Sequence, residues 1–180
     1  METQPSPEAN QSQQQDGVAR ILAQWARERP DLDATPMGVI GRISRLARIF
    51  EHEIQDVFAT FGLHRGEFDV LATLRRAGAP YRLNPTELST TLMISSGGMT
   101  NRLNRLEQAG LITRQPDPTD RRGSLVGLTD EGQRLVDAAV TAHVANEHRL
   151  LHALSPADRE TLASLLRNLL LGFEAARQLE

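Results

Sequence analysis

Apolar residues recur at helical spacing along most of the chain, and a short alternating stretch interrupts them once. Between Gly17 and Arg29 they fall at Val18, Ile21, Leu22 and Trp25, and Pro30 ends the run. Thr35-Pro36 reads as a helix start, with threonine as the N-cap and proline in the first turn. Ile40, Ile43, Leu46, Phe50, Ile54, Val57 and Phe61 then mark one long amphipathic helix, and Gly62 reads as its left-handed stop. A helix from Arg65 to Arg76 turns Phe68, Leu71 and Leu74 inward, and Ala77-Gly78-Ala79-Pro80 breaks it. Asn84-Pro85-Thr86-Glu87 is a capping box that opens a short helix carrying Leu88 and Leu92. Met93-Ile94 makes a tight turn, Ser95 caps a further helix through Ala109, and Gly110 closes it.

Leu111 to Thr113 and Ser124 to Leu128 read as two strands of a hairpin whose polar tip runs from Pro116 to Gly123. Thr129-Asp130-Glu131 starts a long helix to about His152. Ser155-Pro156 starts the last one, from Ala157 to Gln178. That last helix repeats Leu162, Leu165, Leu166, Leu169, Leu170 and Phe173, a wider apolar surface than one core-facing stripe requires. The surplus predicts a partner, and a second copy of the chain is the simplest one.

The chain is thus mainly α with a small β-hairpin wing (α+β), in the order helix, short helix, tight turn, helix, hairpin: a winged helix-turn-helix. Its expected organisation is a Gln/Ser/Pro-rich disordered tail over 1–16, an added helix over 17–30 and a dimerisation helix over 36–62. A DNA-binding lobe follows over 63–128, and C-terminal dimerisation helices occupy 129–180. The second helix of the motif enters a major groove with its N-terminal end first. There Ser95, Ser96, Gly97, Gly98, Thr100 and Asn101 are small or hydrogen-bonding, which suits close approach to base edges and phosphates. Arg102 and Arg105 lie one turn apart on the same side, while Leu103 and Leu106 face the core. Two adjacent glycines cost about 1 kcal/mol each against alanine, so an ordinary surface helix has little use for them. At the wing tip, Arg121 and Arg122 are placed to reach phosphate or a minor groove, and Asp120 caps the loop or orients a neighbouring arginine.

Composition narrows the classes. The net charge is −3, but DNA affinity follows local rather than total charge. All 20 basic residues are arginine, a choice that suits bidentate phosphate and guanine contacts and that codon bias explains equally. The absence of cysteine excludes disulfides, thiolate metal sites and thiol redox sensing. His148 and His152, four apart, have the spacing of a metal pair but no evident third ligand; a helix-surface reading is preferred and no metal is expected. No phosphate loop, catalytic triad pattern or metal motif appears, and no catalytic residue is assigned. No run reaches the ~18–20 apolar residues of a membrane span, and the polar N-terminus lacks the marks of a secretory signal. The chain reads as cytoplasmic, at the bacterial nucleoid.

The stretch Gly66-Glu67-Phe68-Asp69-Val70-Leu71, the helix from Ser96 to Leu106, the segment Gly110-Leu111-Ile112 and the wing from Asp117 to Arg122 followed by Leu128-Thr129 resemble the MarR family. The resemblance covers roughly residues 36–175. It implies a two-fold dimer built from N- and C-terminal helices, each subunit offering one winged helix to a pseudo-palindromic site in double-stranded DNA. The added helix with Trp25 is similar to the urate-responsive branch of that family. In that branch a tryptophan on the added helix, an aspartate on the buttress helix and two arginines define the ligand site. The matching positions are Trp25, Asp69, Arg102 and Arg114. The resemblance therefore implies a repressor without a resident cofactor, released by a small anionic aromatic effector such as urate or xanthine. The chemistry is consistent: arginine forks an anion, tryptophan offers a flat wall, and a bound anion repels Asp69, which then pulls on Arg102. Two alternatives stand beside it: a ligand-independent architectural DNA binder, and an enzyme that binds a small molecule.

Overall fold

The computed structural model describes residues 15–118 and 123–177. Among the described residues the elements follow in the order α1 (Gly17–Glu28), α2 (Thr35–Ala59), α3 (Arg65–Arg76), β1 (Arg82–Leu83), α4 (Pro85–Leu92), α5 (Ser96–Gln108), β2 (Ile112–Pro116), β3 (Ser124–Leu128), α6 (Asp130–Leu150) and α7 (Pro156–Arg177). The chain divides after His52 into two compact units.

In the first unit α1 lies against the beginning of α2 over two glycines. Val18, 3% exposed, sits 3.3 Å from the point where a Gly41 Cβ would stand, and Leu22 occupies the same place over Gly38. Asp16 caps α1 by accepting from the Ala19 N–H at 2.7 Å, and accepts a fork from Arg42 Nε and Nη2 at 2.8 and 3.0 Å. The Ala19 N–H and then the Arg42 guanidinium hold its carboxyl below the usual range. The sequence assigns Asp16 to a disordered tail; it is instead the residue that starts the helix, and residues 1–14 lie outside the described part. Thr35 is already helical and is not the N-cap. Asp33, two residues earlier, holds the helix start through its Oδ1, which accepts from the Thr35 N–H at 3.0 Å and the Thr35 hydroxyl at 2.6 Å.

The second unit holds the hydrophobic core. Phe58, Phe68, Leu71, Leu74, Leu88, Met99, Leu103, Leu106, Ile112, Val126 and Val136 form one cluster. Phe58 and Phe68 stack with ring centroids 4.0 Å apart, and His143 of α6 lies against both rings. Leu103 and Leu106 are buried as their spacing predicts, and Met99 joins them one turn earlier.

The wing is a three-stranded antiparallel sheet in the order β1-β3-β2. The hairpin expected from sequence is present, with its first strand shifted to Ile112–Pro116. The strand Arg82–Leu83 adds to it through Arg82↔Gly127 and Leu83↔Val126. Gly110, at φ +71, turns the chain from α5 into β2 where a side chain would be strained. Thr129 ties the wing base to α6: its N–H donates to Leu111 C=O, its hydroxyl donates to Gly110 C=O, and its Oγ1 accepts from the Gly132 N–H. Among the described residues no helix is long and apolar enough to cross a membrane.

Candidate nucleic-acid interface and the Arg102–Asp69 cluster

The helix-turn-helix is built from local signals. Asn84 accepts from the Glu87 N–H at 2.8 Å and Glu87 accepts from the Asn84 N–H at 2.9 Å, so α4 begins with a closed capping box. Met93 ends α4 in the left-handed region at φ 52, and its side chain is 89% exposed. Ile94 N–H returns to Ser89 C=O, which makes the turn tight. Ser95 caps α5 by accepting from the Gly98 N–H at 3.3 Å.

Ser95, Ser96, Gly97, Thr100, Asn101 and Arg105 are all exposed along the leading face of α5. A Cβ on Gly97 would meet nothing within 4 Å, so this end of the helix is sterically open. The Ser95 hydroxyl serves the helix cap, and the Thr100 hydroxyl donates to Ser96 C=O at 2.9 Å. Arg121 and Arg122, assigned to the wing tip, lie outside the described residues, as does Asp120.

Arg102 points back onto α3. Its guanidinium lies over Gly66 so closely that a Cβ there would stand 2.5 Å from Cζ. Beside it Glu67, a buried carboxylate, accepts from the His64 N–H at 2.9 Å and lies 3.6 Å from Arg105 Nη1. His64, Gly66, Glu67, Arg102 and Arg105 line a cleft of about 310 Å³. Asp69 is half-buried on the same helix. Burial pushes its carboxyl above the usual range, against the opposing pull of Arg65, Arg102, Arg76 and His143. Of the sequence-assigned ligand residues, Asp69 and Arg102 are near enough for the arginine's charge to act on the carboxyl, with no direct ion pair between them.

It does not place Arg114 with them. The charged neighbours of Asp69 are Arg65, Arg102, Arg76 and His143. Arg114 instead donates from Nη2 to Asn104 Oδ1 at 2.6 Å, and its Nε lies 3.3 Å from Glu107 Oε2. Trp25 belongs to the first unit, where its side chain is partly exposed and its C=O accepts from Arg29. Gly66, Glu67, Asn104, Glu107 and His143 were not singled out as site residues by sequence. Gly66 and Glu67 stand within the resembling stretch. An acidic Glu107 on a helix meant for DNA is the one anomaly that composition alone could have flagged.

A family model described as MarR family matches residues 61–123. The HTH-type transcriptional regulator PecS of Dickeya dadantii is 45% identical over 149 residues, which is 83% of this chain and 90% of that protein. The multiple antibiotic resistance protein MarR of Salmonella typhimurium is 35% identical, over 58% of this chain and 71% of that protein. Among solved structures, a mutant MarR from E. coli complexed with operator DNA superposes with a TM-score of 0.66 at 26% identity, covering 75% of this chain and 94% of that one. AbsC, a MarR family regulator from Streptomyces coelicolor, shares the fold with a TM-score of 0.72 at 24% identity, covering 80% and 97%. The open leading face of α5, the three-stranded wing and these likenesses agree: the chain belongs to the MarR family and is a DNA-binding transcriptional regulator, not an enzyme.

Proposed function

We propose that the protein is a repressor that binds a pseudo-palindromic operator as a homodimer and is released by a small anionic aromatic ligand, urate or a related purine. The observation that carries this reading is the Arg102–Gly66–Asp69 arrangement. A recognition-helix arginine is folded back over Gly66 of α3, and its charge acts on Asp69, one turn along that helix, whose carboxyl burial holds high. An anion that entered this cluster would draw Arg102 off Gly66 and so act on the helix that meets DNA. Such a ligand is effective only if it prefers the DNA-incompetent arrangement.

Dimerisation is supported by the apolar surface of α7. Leu165, Leu169, Leu170, Leu171 and Phe173 are each about half or more exposed, with Phe173 at 71%. Covering each is worth roughly 1 kcal/mol before the costs of association, so this face favours pairing of one helix from each subunit. Two copies related by a two-fold axis present their recognition helices about one helical turn of DNA apart.

The test is fluorescence anisotropy on labelled duplex from upstream of the protein's own gene, with urate and xanthine titrated into the complex. The reading expects salt-sensitive binding of the free protein and release by one of the purines. It also expects Arg102→Ala to weaken both effects. Binding that no purine alters would leave a ligand-independent DNA binder and overturn the effector half of the proposal.

A further inference from the structure

One side chain joins the wing to the recognition helix. Arg114 sits in β2, where its backbone is in register with Val126, a fully buried residue of β3. From that fixed base its side chain reaches back to α5. Nη2 donates to Asn104 Oδ1 at 2.6 Å, and Nε, buried and without a hydrogen bond, lies 3.3 Å from Glu107 Oε2 at ion-pair distance. Asn104 and Glu107 are three positions apart, hence neighbours on one side of α5, flanking the buried Leu103 and Leu106. An arginine meant for phosphate keeps its donors free, and a carboxylate beside it repels the very group it would bind. Here one end of the guanidinium is hydrogen-bonded to Asn104 and the other is ion-paired, without a hydrogen bond, to Glu107, and the side chain is only 29% exposed.

We propose that Arg114 is a positioning residue that latches β2 to α5 through Asn104 and Glu107, fixing the angle at which wing and recognition helix meet DNA together. The latch rests on the DNA-binding reading. Its physical effect is preorganisation: helix and wing held at a set angle lose less freedom on engaging the duplex than two parts that move separately. It also gives Glu107 a reason to stand on a helix that faces a polyanion.

The experiment compares the full-length wild type with Arg114→Ala, Arg114→Lys, Glu107→Ala and the Arg114→Ala/Glu107→Ala pair, by operator anisotropy across a salt series. The latch expects both alanine single variants to weaken binding about fivefold and the double variant to be no weaker than Arg114→Ala alone. It expects the slope of log affinity against log salt to stay at the wild-type value, because no phosphate contact is lost. It expects Arg114→Lys to stay weak, since an ammonium cannot fork to both partners. The opposite pattern overturns it: a slope reduced by about one unit in Arg114→Ala, rescue by lysine, and Glu107→Ala binding more tightly once its negative charge is gone. If Arg114→Ala does not fold, the sign of the Glu107→Ala effect decides alone. Wild-type protein that binds no upstream DNA removes the DNA-binding reading and the latch with it. Wild type that binds, with Glu107→Ala unchanged or tighter, removes only the latch.

Discussion

Replacing Gly66 by alanine perturbs the Arg102 cluster while leaving the fold almost untouched. The added Cβ would stand 2.5 Å from Arg102 Cζ, 2.6 Å from Nε and 2.9 Å from Nη1. Ordinary contact between such atoms begins near about 3.5 Å, so the guanidinium must withdraw by about 1 Å. Its altered rotamer costs about 0.5–1.5 kcal/mol, and exchanging glycine for alanine in a helix returns up to about 1 kcal/mol. The two nearly cancel, and the thermal midpoint is expected within about 4 °C of wild type. Asp69 feels the change differently. Arg102 is one of the charges that oppose the upward push of burial on its carboxyl, so withdrawing that charge raises the carboxyl further. Carbon-detected NMR of the Asp69 carboxyl against pH reads this directly. If Arg102 and Asp69 form the lever between effector and helix, the effector-induced change in operator affinity falls by at least about fivefold. A folded variant with an unmoved Asp69 titration and a wild-type response to urate and xanthine would refute the coupling.

Further expectations follow from the same geometry. Gly132→Ala places a Cβ 1.9 Å from Leu111 C=O, the backbone group that receives the Thr129 N–H; neither can yield, so calorimetry should show a loss of about 3 kcal/mol or failure to fold, and a stable wild-type-like variant would contradict the packing. Asp69 binds its proton more tightly folded than unfolded, so its contribution to stability falls as pH rises from the unfolded value through the higher folded one. Asp69→Asn removes that fall, and its denaturant midpoint should exceed that of wild type at neutral pH and converge with it in acid; a variant less stable at neutral pH would show that the carboxylate is held by favourable partners instead. Ser95→Ala deletes the cap of α5 and is expected to cost about 1 kcal/mol in urea unfolding, and no change would mean the Gly98 N–H finds water equally well. Leu170→Glu, on the exposed face of α7, should shift the protein towards single chains in size-exclusion chromatography, whereas an unaltered elution volume would place the pairing surface elsewhere.

Much of the architecture is legible because its signals are local. The Asn84–Glu87 box, the Ser95 cap and the Thr129 cap each fix a helix start within four residues, and all three form as the sequence implies. The strand Arg82–Leu83 is too short to show alternation, so the third strand of the wing carries no pattern to read. Thr35 does not serve as the cap because the Asp33 carboxylate, two residues earlier, takes up both its N–H and its hydroxyl. The site divides in the same way. The polar start of α5 is a sequence feature and appears exposed as expected. The partners of Arg114, and the cradle that Gly66 makes for Arg102, are contacts between elements that no spacing rule encodes. Gly132 belongs with these: its lack of a side chain answers to the backbone of Leu111, not to any demand of its own helix.

Two chains, paired through exposed helices, are proposed to engage one duplex. Sedimentation of the protein with upstream duplex, at modest and then raised ionic strength, measures this most directly. A complex holding two 19.9 kDa chains per duplex, dissociating as salt increases, is the expected result. A free protein that sediments as a single chain and forms no complex even at low salt would contradict it.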